Sequence, residues 1–161
     1  MQKSVRYEAV FSELSATLSD VSEPKERKSL LCKVLSAHFG EFNFVGFYDV
    51  SEAKENTLVI GPYTSATVIP CGEIAFGKGV CGTCAQLGKV QVENDVKALA
   101  NYIACDAETA SEIVLPVYDP EHGGGKLLTV LDIDATAKDA FEEDDVNGLE
   151  RVVSLIGSTR R

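Results

Sequence analysis

The chain has 161 residues, of which 45% are hydrophobic, and a formal net charge of −10. This length and composition allow one folded domain with its own core and argue against intrinsic disorder. The acidic excess argues against nucleic acid or an anionic membrane as a partner, and no apolar run reaches the length of a bilayer span. Residues 1–8 lack the apolar core of a secretory signal, so we expect a cytoplasmic protein.

Three longer segments show the apolar spacing of amphipathic helices. The spacing predicts helices over residues 5–18, from Pro24 to Gly40, and over 141–156. Ser22 is the predicted cap of the second helix, and Pro24 suits its first turn. Shorter helical segments are predicted over 81–87, after a glycine-rich turn, and over 95–101.

Runs of β-branched and aromatic residues between these helices predict strands. They cover residues 43–50, 57–61, 66–70, 90–93, 112–118 and 126–134. Residues 119–125 form the loop of a hairpin, so the last two strands should pair antiparallel. This order of elements predicts one α+β domain over residues 1–161, in which an antiparallel sheet carries the terminal helices on one face.

Four of the five cysteines lie close together in the chain, at Cys71, Cys81, Cys84 and Cys105. In a reducing compartment, such a group favours redox chemistry or metal binding over a structural disulfide framework. Three chemical alternatives stay open. The first is a zinc site with four thiol ligands, and the second is a Cys81–Cys84 redox pair in which the helix dipole lowers the pKa of Cys81. The third is a reactive Cys105 that is served by a second, resolving thiol. Packing in the core is the alternative without chemistry, and Cys32 in the second helix is assigned to it.

Carboxylates form a second group of candidate site residues. Asp132 and Asp134 interrupt an apolar strand and share one of its faces, because strand side chains alternate. Glu112 begins the strand that we expect to pair with it. These carboxylates either lie on an exposed sheet face or form a pocket that binds a cation and donates a proton. In a pocket, mutual repulsion would keep one of them protonated near neutral pH.

Seven short motifs follow one another along the chain in a characteristic order. These are Asn43-Phe-Val-Gly-Phe-Tyr, Leu58-Val-Ile-Gly-Pro-Tyr, Gly77-Lys-Gly-Val-Cys-Gly-Thr, Asn94-Asp-Val, Ile103-Ala-Cys-Asp, Ser111-Glu-Ile-Val-Leu-Pro and Val130-Leu-Asp-Ile-Asp. In order and spacing, the chain resembles the free methionine-R-sulfoxide reductases, which are stand-alone GAF domains. The resemblance covers residues 30–157 approximately. It implies a GAF fold and reduction of free methionine-R-sulfoxide to methionine through a cysteine sulfenic acid and an intramolecular disulfide.

The resemblance also implies roles for individual residues. It makes Cys105 the attacking cysteine and Cys71 and Cys81 the resolving cysteines. It places five residues at the substrate, namely Glu112, Asp132, Asp134, Phe44 and Tyr63. It further implies a thioredoxin-like reductant and neither a cofactor nor a metal, and it leaves a homodimer open. The alternative function is a sensory GAF module that binds a small ligand without turnover.

The chain departs from the family pattern at several places, one of which is a longer loop over residues 119–125. Phe44 stands where tryptophan is usual, which predicts a smaller pocket wall. Asn101 and Tyr102 replace a Gly-His pair before the Cys105 motif. Cys84 replaces a usual alanine, so we interpret it as an extra thiol that the reaction does not require.

Overall fold

Four α-helices are present in the computed structural model, which describes residues 1–66, 68–102, 107–122 and 125–161. They are α1 (Lys3–Thr17), α2 (Pro24–His38), α3 (Gly79–Leu87) and α4 (Glu143–Val153). Four of the five predicted helical segments are therefore confirmed, and the last one is shorter at both ends than predicted. The predicted cap of α2 is wrong, because Glu23 directly precedes Pro24. The Glu23 side chain accepts hydrogen bonds from the N–H groups of Lys25 and Glu26.

In the described part of the chain, six strands form one antiparallel sheet. They are β1 (Phe42–Val50), β2 (Thr57–Ser65), β3 (Glu73–Ala75), β4 (Gln91–Glu93), β5 (Ser111–Tyr118) and β6 (Leu127–Ala135). Their order across the sheet is β3–β2–β1–β6–β5–β4. This confirms the predicted α+β class. It also confirms the antiparallel pairing of the last two strands, since β5 and β6 pair along their length.

The predicted strand over residues 66–70 is wrong for the residues that the structure describes there. Strand β2 runs on to Ser65, and the next strand, β3, starts only at Glu73 and pairs with Val59 of β2. Between them the chain forms a loop, in which Val68 and Pro70 turn toward the space above the sheet. Proline has no N–H to contribute to a ladder, so this segment is a poor strand despite its β-branched residues.

The short helix predicted over residues 95–101 is also reduced. It forms a single 3-10 turn, Val96–Ala98. The carboxylate of Asp95 does not cap this turn, and it pairs instead with the ammonium of Lys138 at 3.2 Å. Among the described residues, no helix has both the length and the apolar character needed to cross a bilayer.

One face of the sheet is covered by α1, α2 and α4, as predicted. Alternate residues of the central strands point toward these helices and are fully buried, among them Val45 of β1, Ile113 of β5 and Ile133 of β6. The helices are tied to each other as well, since the hydroxyl of Tyr7 in α1 donates to the carboxylate of Asp145 in α4 at 2.7 Å. This face holds the larger of the two apolar clusters, and burial of apolar side chains is the dominant favourable term in folding.

Among the described residues, the opposite face of the sheet is covered by α3, by the loop that follows β2 and by side chains of the segment that ends at Tyr102. A smaller apolar cluster lies here, to which Phe44, Tyr48, Val114 and Val130 contribute from the strands. Three other positions on this side of β5 and β6 are acidic, namely Glu112, Asp132 and Asp134. The sheet therefore presents an apolar face to the long helices and a mixed face to α3.

Candidate active site

The register of β5 and β6 brings the three predicted carboxylates together. Glu112 lies directly opposite Asp134, and Asp132 lies two residues further along β6 on the same face. Glu112, Asp132 and Asp134 are only 6%, 4% and 9% exposed. The alternative of an exposed sheet face is therefore wrong, and the interpretation as an acidic pocket fits the structure.

Helix α3 places a thiol against these carboxylates. The Sγ of Cys81 donates a hydrogen bond to Oε2 of Glu112 at 3.7 Å. One ligand atom from each of Cys81, Glu112 and Asp132 lies within 4.8 Å of the other two. Gly82 lets α3 pack closely against the end of β3, since a Cβ there would lie 2.4 Å from the carbonyl oxygen of Ala75. Three such groups are near enough to share a proton or a bound cation.

Burial and mutual repulsion set the protonation of the acidic pocket. Burial raises the pKa of Glu112 to about 8, and the charge of Asp134 adds to this rise. Burial raises the pKa of Asp132 well above its usual range, and the charge of Glu112 contributes. A hydrogen bond between the two carboxyl groups raises the pKa of Asp132 and lowers that of Glu112, which favours Asp132 as the proton holder. The pair therefore holds at least one proton at neutral pH.

The predicted effect of the helix dipole on Cys81 is wrong. Burial raises the pKa of the Cys81 thiol well above its ordinary value, and the negative charges of Asp132 and Glu112 oppose ionisation further. A helix N-terminus lowers a thiol pKa by a modest amount, which desolvation of a buried thiolate easily outweighs. Cys81 is thus a protonated hydrogen-bond donor in the pocket.

Aromatic side chains form the apolar wall of the pocket. Phe44 lines the pocket and stacks against Tyr48 and Tyr63, with ring centroids 6.3 Å and 5.7 Å away. Gly46 allows this arrangement, because a Cβ there would lie 2.7 Å from Cζ of Phe44. Tyr63 is 47% exposed and supports Phe44 from outside, whereas Phe44 itself faces the pocket. Both predicted aromatic residues therefore belong to one stack, of which Phe44 is the inner member.

The cavity between these walls is small, with a volume of about 30 Å³. Further residues that we did not assign to the site line it as well, namely Tyr48, Val68, Pro70, Ile74, Lys78, Gly79, Val80 and Tyr102. Alternation along β1 would have identified Tyr48, which lies four residues from Phe44 on the same face. The loop residues carry no comparable periodic signal. The carboxylate Oδ1 of Asp132 is buried and has no hydrogen-bond partner among the described residues, so it is available to a ligand.

The cysteines separate into different structural classes. Cys71 is disulfide-bonded and half-buried, whereas Cys32, Cys81 and Cys84 are free and buried. A disulfide-bonded cysteine is not a thiolate ligand, which argues against the four-thiol zinc site. The Sγ of Cys84 points to the carbonyl oxygen of Val114 at 3.7 Å, and Cys32 lies in the helix-side core, as predicted. The predicted attacking residue, Cys105, lies outside the described residues.

Comparisons with known proteins agree with this arrangement. A family model described as GAF domain matches residues 29–159. The free methionine-R-sulfoxide reductase of Saccharomyces cerevisiae is 40% identical over 119 residues, which make up 74% of this chain and 63% of that protein. The chain therefore spans less than two thirds of the length of this curated relative.

Two solved structures are similar over nearly the whole chain. One is the free methionine-R-sulfoxide reductase from Neisseria meningitidis in complex with its substrate. It is 29% identical with a TM-score of 0.88, and the match covers 97% of this chain and 89% of that one. The other is the reduced form of fRMsr of Staphylococcus aureus, 33% identical with a TM-score of 0.84. Here the match covers 94% of this chain and 92% of that one.

Proposed function

Because the chain belongs to the free methionine-R-sulfoxide reductase family of GAF domains, we propose that it reduces free methionine-R-sulfoxide to methionine. The observation that carries this proposal is the buried trio Glu112, Asp132 and Asp134 beside the Cys81 thiol, in a pocket with an aromatic wall. Such a pocket combines a proton donor, sites for a cation and an apolar contact for a thioether.

The proton is the first requirement of the reaction. A sulfoxide oxygen leaves sulfur readily only when it is protonated, so an acid must face it. The raised pKa values of Glu112 and Asp132 keep a proton in the pocket at neutral pH. We assign the donation to this hydrogen-bonded pair, since its proton belongs to both groups rather than to one.

Cysteine chemistry supplies the two electrons. The Cys105 thiolate attacks the sulfoxide sulfur, the protonated oxygen is transferred to Cys105 as a sulfenic acid, and methionine is released. A second thiolate then attacks the sulfenic sulfur to form a disulfide, and the oxygen leaves as water. Cys71 fits this resolving role because it is the described cysteine that is disulfide-bonded. Cys81 is the other predicted resolving residue and lies free at Glu112.

Charge explains why the substrate would be a free amino acid. A free α-ammonium group supplies the cation that the buried carboxylates require, whereas a peptide-bound residue has none. Lys78 lines the same pocket and offers a positive charge to the α-carboxylate. A thioredoxin-like dithiol protein would then reduce the enzyme disulfide, which places the reaction in a reducing compartment such as the cytosol.

The deciding experiment compares three substrates with dithiothreitol as the reductant. The purified protein is given free methionine-R-sulfoxide, free methionine-S-sulfoxide and a peptide that contains the R epimer, and methionine formation is followed by chromatography. We expect turnover of the free R epimer alone. Binding of that epimer by calorimetry without any methionine formed would contradict the proposal and support the sensory GAF module instead.

A further inference from the structure

Three side chains of the acidic pocket have the spacing of metal ligands. One ligand atom from each of Cys81, Glu112 and Asp132 lies within 4.8 Å of the other two, and the Sγ of Cys81 is 3.7 Å from Oε2 of Glu112. A tetrahedral zinc ion, bonded at about 2.3 Å to sulfur and about 2.0 Å to oxygen, holds those two atoms about 3.5 Å apart. The thiol and the carboxylate therefore stand close to the separation that zinc requires.

A buried oxygen atom of the same pocket independently points to a bound cation. Oδ1 of Asp132 has no hydrogen-bond partner among the described residues, and the whole residue is only 4% exposed. A buried polar atom without a partner raises the free energy of the folded state. A cation bound to this oxygen would remove that penalty.

The pocket has room for an ion and a path to it. Its volume of about 30 Å³ exceeds the roughly 10–15 Å³ that a single water molecule requires. A metal ion with one water as its fourth ligand therefore fits. Lys78 is exposed, and Pro70 and Tyr102 are half-buried, so these lining residues form a rim through which an ion can enter from solvent.

We infer that Cys81, Glu112 and Asp132 form a zinc-binding site that, once occupied, excludes the sulfoxide substrate from the pocket. Zinc binds thiolate sulfur together with carboxylate oxygen, whereas magnesium and calcium take oxygen ligands. Zinc binding itself does not depend on the proposed function. Exclusion of the substrate does rest on it, because the α-ammonium group of the free amino acid would use the same carboxylates.

The binding step exchanges protons for metal and involves no electron transfer. The Cys81 thiol gives its proton to solvent and coordinates as a thiolate, and Glu112 and Asp132 coordinate as carboxylates after releasing any proton that they hold. The two positive charges of zinc then replace those protons beside the three negative ligands. Lys78 is the one cation among the described lining residues, and its exposed ammonium can turn toward solvent.

The first test measures zinc binding without any sulfoxide. Zinc chloride is titrated by calorimetry into the disulfide form of the protein, in which Cys71 has no free thiol. Loss of an outer-shell group typically costs tenfold to a hundredfold in metal affinity, so loss of a direct ligand should cost at least as much. We expect the affinity to fall on the order of a hundredfold in Cys81→Ala and at least about tenfold in Glu112→Gln. Cys84→Ala, which removes the neighbouring thiol of α3, should bind zinc as wild type does.

Cobalt in place of zinc identifies the sulfur ligand. Wild type and Cys84→Ala should show the near-ultraviolet absorption of a thiolate bound to cobalt, and Cys81→Ala should not. Cys81→Ser keeps a polar side chain at this position and serves in the same titrations if Cys81→Ala does not fold. Equal zinc affinity in wild type and in a folded Cys81 variant would overturn the inference, and so would equally tight binding of magnesium.

The second test measures competition during turnover, with a phosphine reductant because dithiothreitol itself binds zinc. Increasing zinc should raise the KM for free methionine-R-sulfoxide and leave kcat unchanged, and a chelator should reverse the effect. A fall in kcat at constant KM would refute exclusion of the substrate. Zinc binding without any methionine formed would uphold the metal site and refute the proposed function, whereas methionine formation without zinc binding would do the reverse.

Discussion

The two faces of the central sheet use the same strands for different purposes. Toward α1, α2 and α4, alternate residues such as Ile113 and Ile133 are apolar and fully buried. Toward α3, their chain neighbours Glu112 and Asp132 are equally hidden from water but carry ionisable groups. Adjacent residues of one strand therefore differ in whether their burial stabilises the fold or opposes it.

The two faces differ in how burial affects the free energy of the folded state. Burial of an aliphatic side chain lowers the free energy of the folded state, by about 1.5–3 kcal/mol for a large residue. Burial of an ionised carboxyl group raises the free energy of the folded state. The group therefore retains its proton, because the neutral form is less costly to bury. The pocket face can carry this penalty because the helix-covered face forms the larger core. Substitutions on the two faces should consequently separate activity from stability.

The largest effect is expected from the cysteine predicted to attack the substrate. Cys105→Ser should abolish methionine formation even with excess dithiothreitol, because serine is a far weaker nucleophile toward sulfur at neutral pH. Thermal melting of the reduced variant should match that of reduced wild type. Methionine formation is measured by chromatography, with Cys32→Ser as a thiol control from the helix-covered face. Full activity of Cys105→Ser would refute its assignment.

Neighbouring residues of β5 give the sharpest comparison of the two faces. Glu112→Gln should lower kcat/KM by a factor on the order of ten to a thousand, through loss of the proton pair and of cation binding. It should not destabilise the fold, since one of several repelling groups is removed. Ile113→Ala should lower the free energy of unfolding by about 2–5 kcal/mol while kcat/KM below the melting temperature stays near wild type.

Steady-state kinetics and urea unfolding on both variants decide this comparison. Asp132→Asn and Ile133→Ala provide a second matched pair on β6 and should repeat the pattern. Asp134→Asn tests the third carboxylate in the same way. Near-normal kinetics in all three carboxylate variants would mean that the acidic trio does not take part in turnover.

The acidic pocket should also give stability an unusual pH dependence. The folded protein holds the proton of Glu112 up to about pH 8, whereas an unfolded glutamate loses it near pH 4.3. Between those values the folded state binds more protons, so stability should fall as pH rises, by up to about 1.4 kcal/mol per pH unit. The charges of Asp134 from β6 and Glu93 from β4 also raise the pKa of Glu112, whereas the hydrogen bonds that it makes with Asp132 and with the Cys81 thiol lower it.

Urea unfolding at several pH values from 5 to 8 tests this sign. Glu112→Gln should reduce the slope, because an amide does not titrate, and the slope that remains comes from Asp132. Ile113→Ala should be less stable at every pH but keep the wild-type slope. A stability that rises with pH over this range in wild type would show that the carboxyl groups are ionised and compensated in the folded protein.

Local patterns were sufficient for much of the fold and for part of the site. Alternation in β6 placed Asp132 and Asp134 on one face, and the hairpin loop before β6 placed Glu112 opposite them. The prediction of a strand over residues 66–70 was wrong because the apolar residues of this segment belong to a loop that lines the pocket. Alternation of apolar residues in the sequence does not distinguish such a loop from a strand. The raised pKa of Cys81 also could not be predicted, because burial is a property of tertiary packing.

The smallest effect on activity is expected at the other thiol of α3. Cys84 is one helical turn from Cys81 and fully buried, but its Sγ contacts the backbone carbonyl of Val114 rather than a carboxyl group, and it is not among the described residues that line the pocket. Cys84→Ala removes one sulfur atom from an apolar cluster, so it should slightly lower the melting temperature. Methionine formation should stay within about twofold of wild type, a change of under 1 kcal/mol in the barrier.

Kinetics with dithiothreitol and with thioredoxin, measured beside Cys81→Ala, test this expectation. If Cys84→Ala were as inactive as Cys105→Ser, the Cys81–Cys84 pair would be the redox centre, and the chemistry of the pocket face would reside in α3 rather than at Cys105.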